Sequence, residues 1–337
     1  MISRAVYLTA PRQVEIQEEY IQPLQSGEIL AQTLVSAISP GTENLIYQGL
    51  FPPNLHIDEN LPGLTGAFSY PLKYGYSAVG RIVDLGPGVD KTWLDQVVFS
   101  FQPHQTYFTA RVEELQSLPE GIKLEDAVFL PTMETALNLV MDGVPLIGEN
   151  VVVFGQGVVG LLTTALLALF PLTSLITFDP ISTRRQRSLS LGASISLAPD
   201  EPGVSQQISK MPKGGADLTF ELSGSPNALD QALQITGFAG RIVIGSWYGQ
   251  KRASLDLGGR FHRNRLRLIS SQVSSLAPEL SGRWDKSRRF DLAWELIRKI
   301  QPNQLITHRL PLDQATQAYT MLAEQTGEVL QIVFAYE

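Results

Sequence analysis

A run of apolar, mostly β-branched residues, Val151-Val152-Val153-Phe154, meets three glycines spaced as Gly-x-Gly-x-x-Gly. Nothing else in the chain constrains its fold as strongly. The run reads as a buried strand. Gly155, Gly157 and Gly160 follow, with Gln156, Val158 and Val159 between them, and Leu161–Leu169 continues as an apolar stretch of helical length. Strand, glycine turn and helix in that order make a dinucleotide-binding fingerprint. Gly155 is expected to make the tight turn, Gly157 to let the backbone approach a pyrophosphate, and Gly160 to let the helix lie on the strand. The helix N-terminus then presents N–H groups and a positive dipole end to the phosphates. The competing reading is a plain βα turn.

The next apolar run, Leu175–Phe178, ends in Asp179, 19 residues beyond Gly160. A carboxylate there suits the two hydroxyls of an adenosine ribose and repels a 2′-phosphate, which favours NAD over NADP. Arg184, with Arg185 and Arg187, pulls the other way, so NADP stays open. In the competing reading Asp179 caps the following helix.

The chain of 337 residues is long enough for about two domains. Apolar content of 44% and charged content of 18% suit a soluble enzyme. The net charge of −7 argues against general nucleic-acid binding. Without cysteine the sequence has neither disulfides nor thiolate metal sites, which fits a reducing cytoplasm. The N-terminus lacks a signal-peptide pattern, and the most apolar stretch is broken by Pro171, so neither export nor a membrane span is expected.

Short β-rich runs at Ala5–Leu8, Val14–Gln17 and Glu28–Val35 open the chain, and Ser36–Glu43 turns into a short helix. Residues 49–72, rich in Pro, Gly and Asn, read as an irregular loop. Tyr74–Gly86 reads as strand, bulge and strand, and Val97–Phe101 and Thr106–Ala110 as further strands. Ala127–Val140 reads as a helix. Strand and helix then alternate through Leu218–Glu221, Asn227–Thr236, Arg241–Gly245 and Leu266–Ser270, the pitch of a doubly wound parallel sheet. Helices at Arg288–Ile300 and Leu312–Glu324 and a strand at Glu328–Phe334 close the chain. A β-rich domain over 1–131 and 277–337, interrupted by an α/β Rossmann domain over 132–276, accounts for this order.

With these motifs in place, the chain resembles the medium-chain dehydrogenase/reductase superfamily over essentially its whole length. The resemblance rests on Ser39-Pro40-Gly41-Thr42-Glu43, Gly75-Tyr76-Ser77-Ala78-Val79-Gly80, Gly86-Pro87-Gly88-Val89, the glycine fingerprint and Leu305-Ile306-Thr307-His308. It implies a GroES-like catalytic domain, a nicotinamide cofactor and a small-molecule substrate. It also implies a homodimer paired through the edge strand at Leu266–Ser275. Where zinc members carry Cys, His and Cys, this chain carries Pro40 (or Ser39), Tyr76 and Pro131, and the four-Cys lobe is absent. These side chains make a poor zinc site, so a zinc-free member is expected, with no metal ligands. Ile38-Ser39-Pro40-Gly41-Thr42-Glu43 and Gly75-Tyr76 are similar to the bacteriochlorophyllide hydroxyethyl dehydrogenase branch.

The resemblance implies hydride transfer between a nicotinamide and an alcohol or ketone. The alternatives are an enoyl or quinone reductase of the same superfamily and a nucleotide-binding protein without catalysis. Without a Lewis acid, a hydrogen-bond donor must hold the substrate oxygen. The family cleft implies Tyr76, Ser39, Thr42 and Glu43 as candidates. Tyr76 would be the acid or an apolar filler, Ser39 and Thr42 relays or turn residues, and Glu43 a base, a ligand contact or a first-turn charge. His308, His104 and His262 are weaker candidates. Cofactor contacts are expected at Thr135, Ser223-Gly224, Gly245-Ser246-Trp247 and Ser271-Gln272, the last three at strand carboxyl ends. Arg260, Arg263, Arg265 and Arg267 form either a binding surface or a solvated face.

Overall fold

The computed structural model of the protein describes residues 1–52, 69–203, 208 and 211–336. Most of the loop expected at 49–72 therefore lies outside the described residues. Two compact units are formed, Met1–Pro131 with Trp294–Glu337, and Thr132–Ala293.

In the first unit β1 (Ile2–Ala10) and β2 (Gln13–Tyr20) form an antiparallel pair, joined by β4 (Leu72–Lys73). A larger sheet is built on β3 (Glu28–Ala37), which is mostly buried, with buried and partly exposed residues alternating from Ala31 to Val35. Its other strands are β5 (Ala78–Leu85), β6 (Val97–Ser100), β7 (Tyr107–Arg111), β8 (Gln116–Ser117), β15 (Ile306–Pro311) and β16 (Gln331–Ala335). Their order is β15-β16-β3-β5-β6-β8, with β7 also paired to β3. The short helix α1 (Thr42–Tyr47) follows β3 directly.

Two expectations change here. Tyr74–Gly86 is strand, bulge and strand only from Ala78 onward, with a register shift between Ile82 and Asp84, and residues 74–77 precede the strand. The helix expected over 127–140 is two, α2 (Leu124–Ala127) and α3 (Leu130–Gly143). Pro131 explains the break. It has no N–H to give the Ala127 carbonyl, but is tolerated in the first turn of a new helix. Thr135 is therefore in the second turn of α3 rather than at a helix start.

The second unit contains a six-stranded parallel sheet of β9 (Asn150–Phe154), β10 (Ser174–Phe178), β11 (Ile195–Leu197), β12 (Ala216–Glu221), β13 (Thr236–Ile244) and β14 (Arg267–Ser270). The order β11-β10-β9-β12-β13-β14 makes two mononucleotide halves meeting at β9 and β12. Every residue of β9 is buried, as a central parallel strand requires. Helices α4 (Val158–Leu167), α5 (Ser182–Ser190) and Pro226–Ile235 provide crossovers. Among the described residues no helix is long and apolar enough to cross a membrane.

Candidate functional site

The three fingerprint glycines are not equivalent. Gly155 has φ +86°, and a Cβ there would stand 2.5 Å from the Ser223 Cα. At Gly160 a Cβ would stand 1.9 Å from the Gly155 carbonyl oxygen. The fold demands both glycines. Gly157 has an ordinary φ of −69° at the N-cap of α4, and a Cβ there would have nothing within 4 Å. Neither its conformation nor its packing calls for glycine. What its missing side chain leaves open is room for an outside group at the first turn of α4, beside Val158 and Val159.

Gln156 faces inward. Its Nε2 donates to the Gly155 carbonyl at 3.0 Å, and its Oε1 accepts from Thr164 Oγ1 at 3.0 Å. Its backbone N–H donates to Asp179 Oδ2 at 2.7 Å, while Asp179 Oδ1 accepts from the Ile181 N–H at 2.8 Å. Asp179, at the end of β10, thus ties the glycine turn to the start of α5, and it is 3% exposed. Arg184 in α5 is half-buried rather than freely mobile. Burial pushes its guanidinium below the ordinary value, and the Asp179 charge opposes that shift.

At the end of β12, the fully buried Glu221 accepts from the Ser223 N–H at 2.8 Å, from the Ser223 hydroxyl and from the Tyr248 hydroxyl. Burial, then the Glu221 bond, pushes the Tyr248 phenol upward. Ser246 Oγ accepts from the Gly224 N–H at 2.8 Å. At Gly245 a Cβ would meet Leu139 Cδ2 at 2.4 Å. Ser271 Oγ accepts from Asn138 Nδ2 at 3.1 Å, and the Gln272 carbonyl lies 3.4 Å from the same nitrogen. The loop after β12 is thus tied to Glu221 and to the loop after β13, and the segment after β14 to α3, at the strand ends where such sheets take ligands.

In the first unit, Tyr76, Ser39 and Thr42 form a cluster of three hydroxyls, each side chain partly exposed. The Tyr76 hydroxyl donates to Ser39 Oγ at 2.6 Å, and Thr42 also hydrogen-bonds the phenol. Burial pushes the Tyr76 phenol above its ordinary value of 10.0; Ser39 and Thr42 pull it back, and the Glu43 charge adds to the rise. The phenol is therefore a neutral donor at physiological pH.

Glu43 sits behind this cluster, fully buried. Its Oε1 accepts from the Ser39 N–H at 2.7 Å; its Oε2 is 3.0 Å from His104 Nε2 and accepts from the Tyr319 hydroxyl. His104 Nδ1 lies 2.7 Å from Ser36 Oγ, which lies 2.8 Å from the Tyr336 hydroxyl. With both oxygens engaged and no exposed surface, Glu43 braces the cluster instead of facing a ligand. His104, weak on sequence grounds, is the central partner. His308 bonds its neighbour Thr307 at 3.0 Å, and His262 is exposed. Arg260 donates to the Gly214 and Thr236 carbonyls, whereas Arg263, Arg265 and Arg267 are exposed.

The pairing of Glu43 with His104 and Tyr319 is not legible in sequence, because these partners lie far from it along the chain: 61 residues for His104 and 276 for Tyr319.

A sequence model of the family described as "Zinc-binding dehydrogenase" matches residues 158–290. D-guloside 3-dehydrogenase of Escherichia coli is 25% identical over 338 positions, covering 95% of this chain and 96% of that one. A crystal structure of an E. coli alcohol dehydrogenase complexed with NADH superposes with TM-score 0.80 at 17% identity, covering 99% of both chains. A zinc-binding dehydrogenase of Sinorhizobium meliloti bound to NADP superposes with TM-score 0.79 at 18% identity, again covering 99% of both. These matches support the medium-chain dehydrogenase/reductase superfamily. The fold is that of its alcohol dehydrogenases, a Rossmann sheet with a β-rich partner.

A zinc ion is implied by the family's name, and the residues here do not fit one. Pro40 and Pro131 offer no side-chain donor, and Tyr76 is engaged with Ser39. Glu43 and His104 are committed to each other, and among the described residues no group of three or more His, Cys, Asp or Glu could hold a metal.

Proposed function

We propose that the chain is an NAD(P)-dependent oxidoreductase that acts on an alcohol or ketone without zinc. The carrying observation is Gly157, a glycine that the fold does not need, set at the N-terminus of α4 where a pyrophosphate would lie. The nicotinamide, when bound, supplies the hydride chemistry. Backbone N–H groups at the start of α4 hold phosphate oxygens, Asp179 accepts from the adenosine ribose with the lone pairs that its two backbone N–H bonds leave, and Thr135, Ser223, Gly245, Ser246, Ser271 and Gln272 line the rest of the cofactor's path. Tyr76 turns its one proton from Ser39 Oγ to the substrate oxygen, and the Ser39 and Thr42 hydroxyls then donate to the phenol oxygen and return the proton. The two units serve as a GroES-like catalytic domain and a cofactor domain. Within the superfamily, the motifs at 38–43 and 75–76 favour the bacteriochlorophyllide hydroxyethyl dehydrogenase branch.

Tyr76→Phe tests the proton role. Loss of one donor to a developing oxyanion costs about 10²–10³ in kcat, so kcat is expected to fall by that order while NADH affinity stays unchanged. Since the phenol's value is raised, it keeps its proton up to and beyond the ordinary value of 10.0. Ketone reduction by the wild type should therefore show no alkaline loss below that pH. Unchanged kcat in Tyr76→Phe would remove the assignment. Ketones and enones offered side by side separate carbonyl from double-bond reduction.

Cofactor choice follows from Asp179. A 2′-phosphate beside this carboxylate costs on the order of 1 kcal/mol or more, so NADH is expected to bind about tenfold tighter than NADPH. Asp179→Ser also removes the Gln156 brace and should weaken both. The ratio is therefore the readout, and it should shrink or reverse. A ratio that survives the substitution would place the ribose elsewhere.

A further inference from the structure

Next to the end of β14, the Asn138 contacts to Ser271 and Gln272 continue into a buried ion pair, Arg289 with Glu134, that has had no part so far. Arg289, 1% exposed, is the largest fully buried side chain of those described. Its Nε and Nη2 donate to Glu134 Oε1 at 3.1 and 2.6 Å, and its Nη1 donates to Asn138 Oδ1 at 2.6 Å. Its Nη2 also donates to the Val273 carbonyl at 2.6 Å. Asn138 turns its amide nitrogen to Asp142 Oδ2 at 2.9 Å, Ser271 Oγ at 3.1 Å and the Gln272 carbonyl at 3.4 Å. Three consecutive residues, 271–273, are thereby held to α3 by one guanidinium and one amide.

A buried ion pair is a poor way to gain stability, because desolvation of both charges offsets their attraction. What the planar, five-donor guanidinium does well is fix direction. Here it fixes a carbonyl and, through Asn138, a hydroxyl on the segment that leaves β14. That strand ends the β12–β14 half of the sheet, opposite the half that carries Asp179. A dinucleotide laid across the switch point puts its second nucleotide over this half.

We infer that Arg289 is a positioning residue which, with Asn138, sets the Ser271–Val273 segment as the wall facing the nicotinamide nucleotide. This rests on the dinucleotide reading proposed above. Loosening the wall should weaken the nicotinamide half of the cofactor and spare the adenosine half, a selectivity that a merely structural role would not produce.

Titration of the full chain with NADH and with ADP-ribose, which lacks the nicotinamide, tests this in two variants. One is Arg289→Met combined with Glu134→Gln, so that neither charge is left buried alone. The other is Asn138→Ala, which keeps the ion pair and decides the matter if the first fails to fold. In each, the NADH Kd is expected to rise about tenfold, about 1.4 kcal/mol, with the ADP-ribose Kd within about twofold of wild type. Equal losses for both ligands, or no loss for either, would overturn the inference. A wild type that binds neither ligand would instead fell the dinucleotide reading, and the inference with it.

Discussion

Gly157→Ala is expected to leave the fold standing and remove tight cofactor binding, while Gly160→Ala is expected to destabilise the fold. The two residues sit three apart in one turn, yet a Cβ meets nothing within 4 Å at the first and a carbonyl oxygen at 1.9 Å at the second. That contact at Gly160 is backbone, which no rotamer change relieves, so β9 and α4 must separate. Overpacking typically costs about 1–3 kcal/mol, and a backbone overlap as close as this one falls at the upper end. At Gly157 the cost is that of a poorer N-cap, under about 1 kcal/mol, and the methyl occupies the space a pyrophosphate needs. Thermal unfolding should find Gly157→Ala within a few degrees of wild type, with NADH affinity down at least about tenfold. A Gly157→Ala protein that binds NADH normally would mean that the turn serves packing alone.

Glu43→Ala is expected to be among the most damaging single changes in the first unit. It leaves the Ser39 N–H, His104 Nε2 and the Tyr319 hydroxyl facing a buried space without their acceptor. Breaking a buried charged network by removing one partner costs about 3–5 kcal/mol, or roughly 10 °C in the unfolding midpoint. Glu43→Gln keeps the volume and part of the acceptance, and should recover about half of that loss. Activity should fall in both, because Ser39 loses the brace that sets it against Tyr76. Circular dichroism melts of the two variants check the order. A Glu43→Ala protein as stable as wild type would show that the three donors find other partners.

Local patterns were the legible ones. Val151–Gly160 declared strand, turn and helix because each signal lies within one turn or strand of the next, and Asp179 could be placed by its distance from Gly160. The helix expected over 127–140 is interrupted only at residues 128–129, because apolar periodicity runs straight through Pro131, whose missing N–H splits it. Tyr74–Ser77 looked extended from composition, yet lies outside any strand. β15 went unassigned because Ile306–Pro311 is half-exposed and short, with a weak period-two signal. Arg289 lies in the helix expected at Arg288–Ile300, where no local signal marks it as buried. Its partners Glu134 and Asn138 lie 155 and 151 residues away, a separation that periodicity cannot span.

Whether oxidoreduction here runs on a hydroxyl cluster without zinc is decided by one measurement. Protein dialysed against a chelator is analysed for zinc by mass spectrometry and assayed in the same tube for ketone-dependent oxidation of NADH. Well under one zinc per chain with undiminished turnover is the predicted result. One zinc per chain before dialysis, activity lost on its removal and restored by adding zinc back, would contradict it.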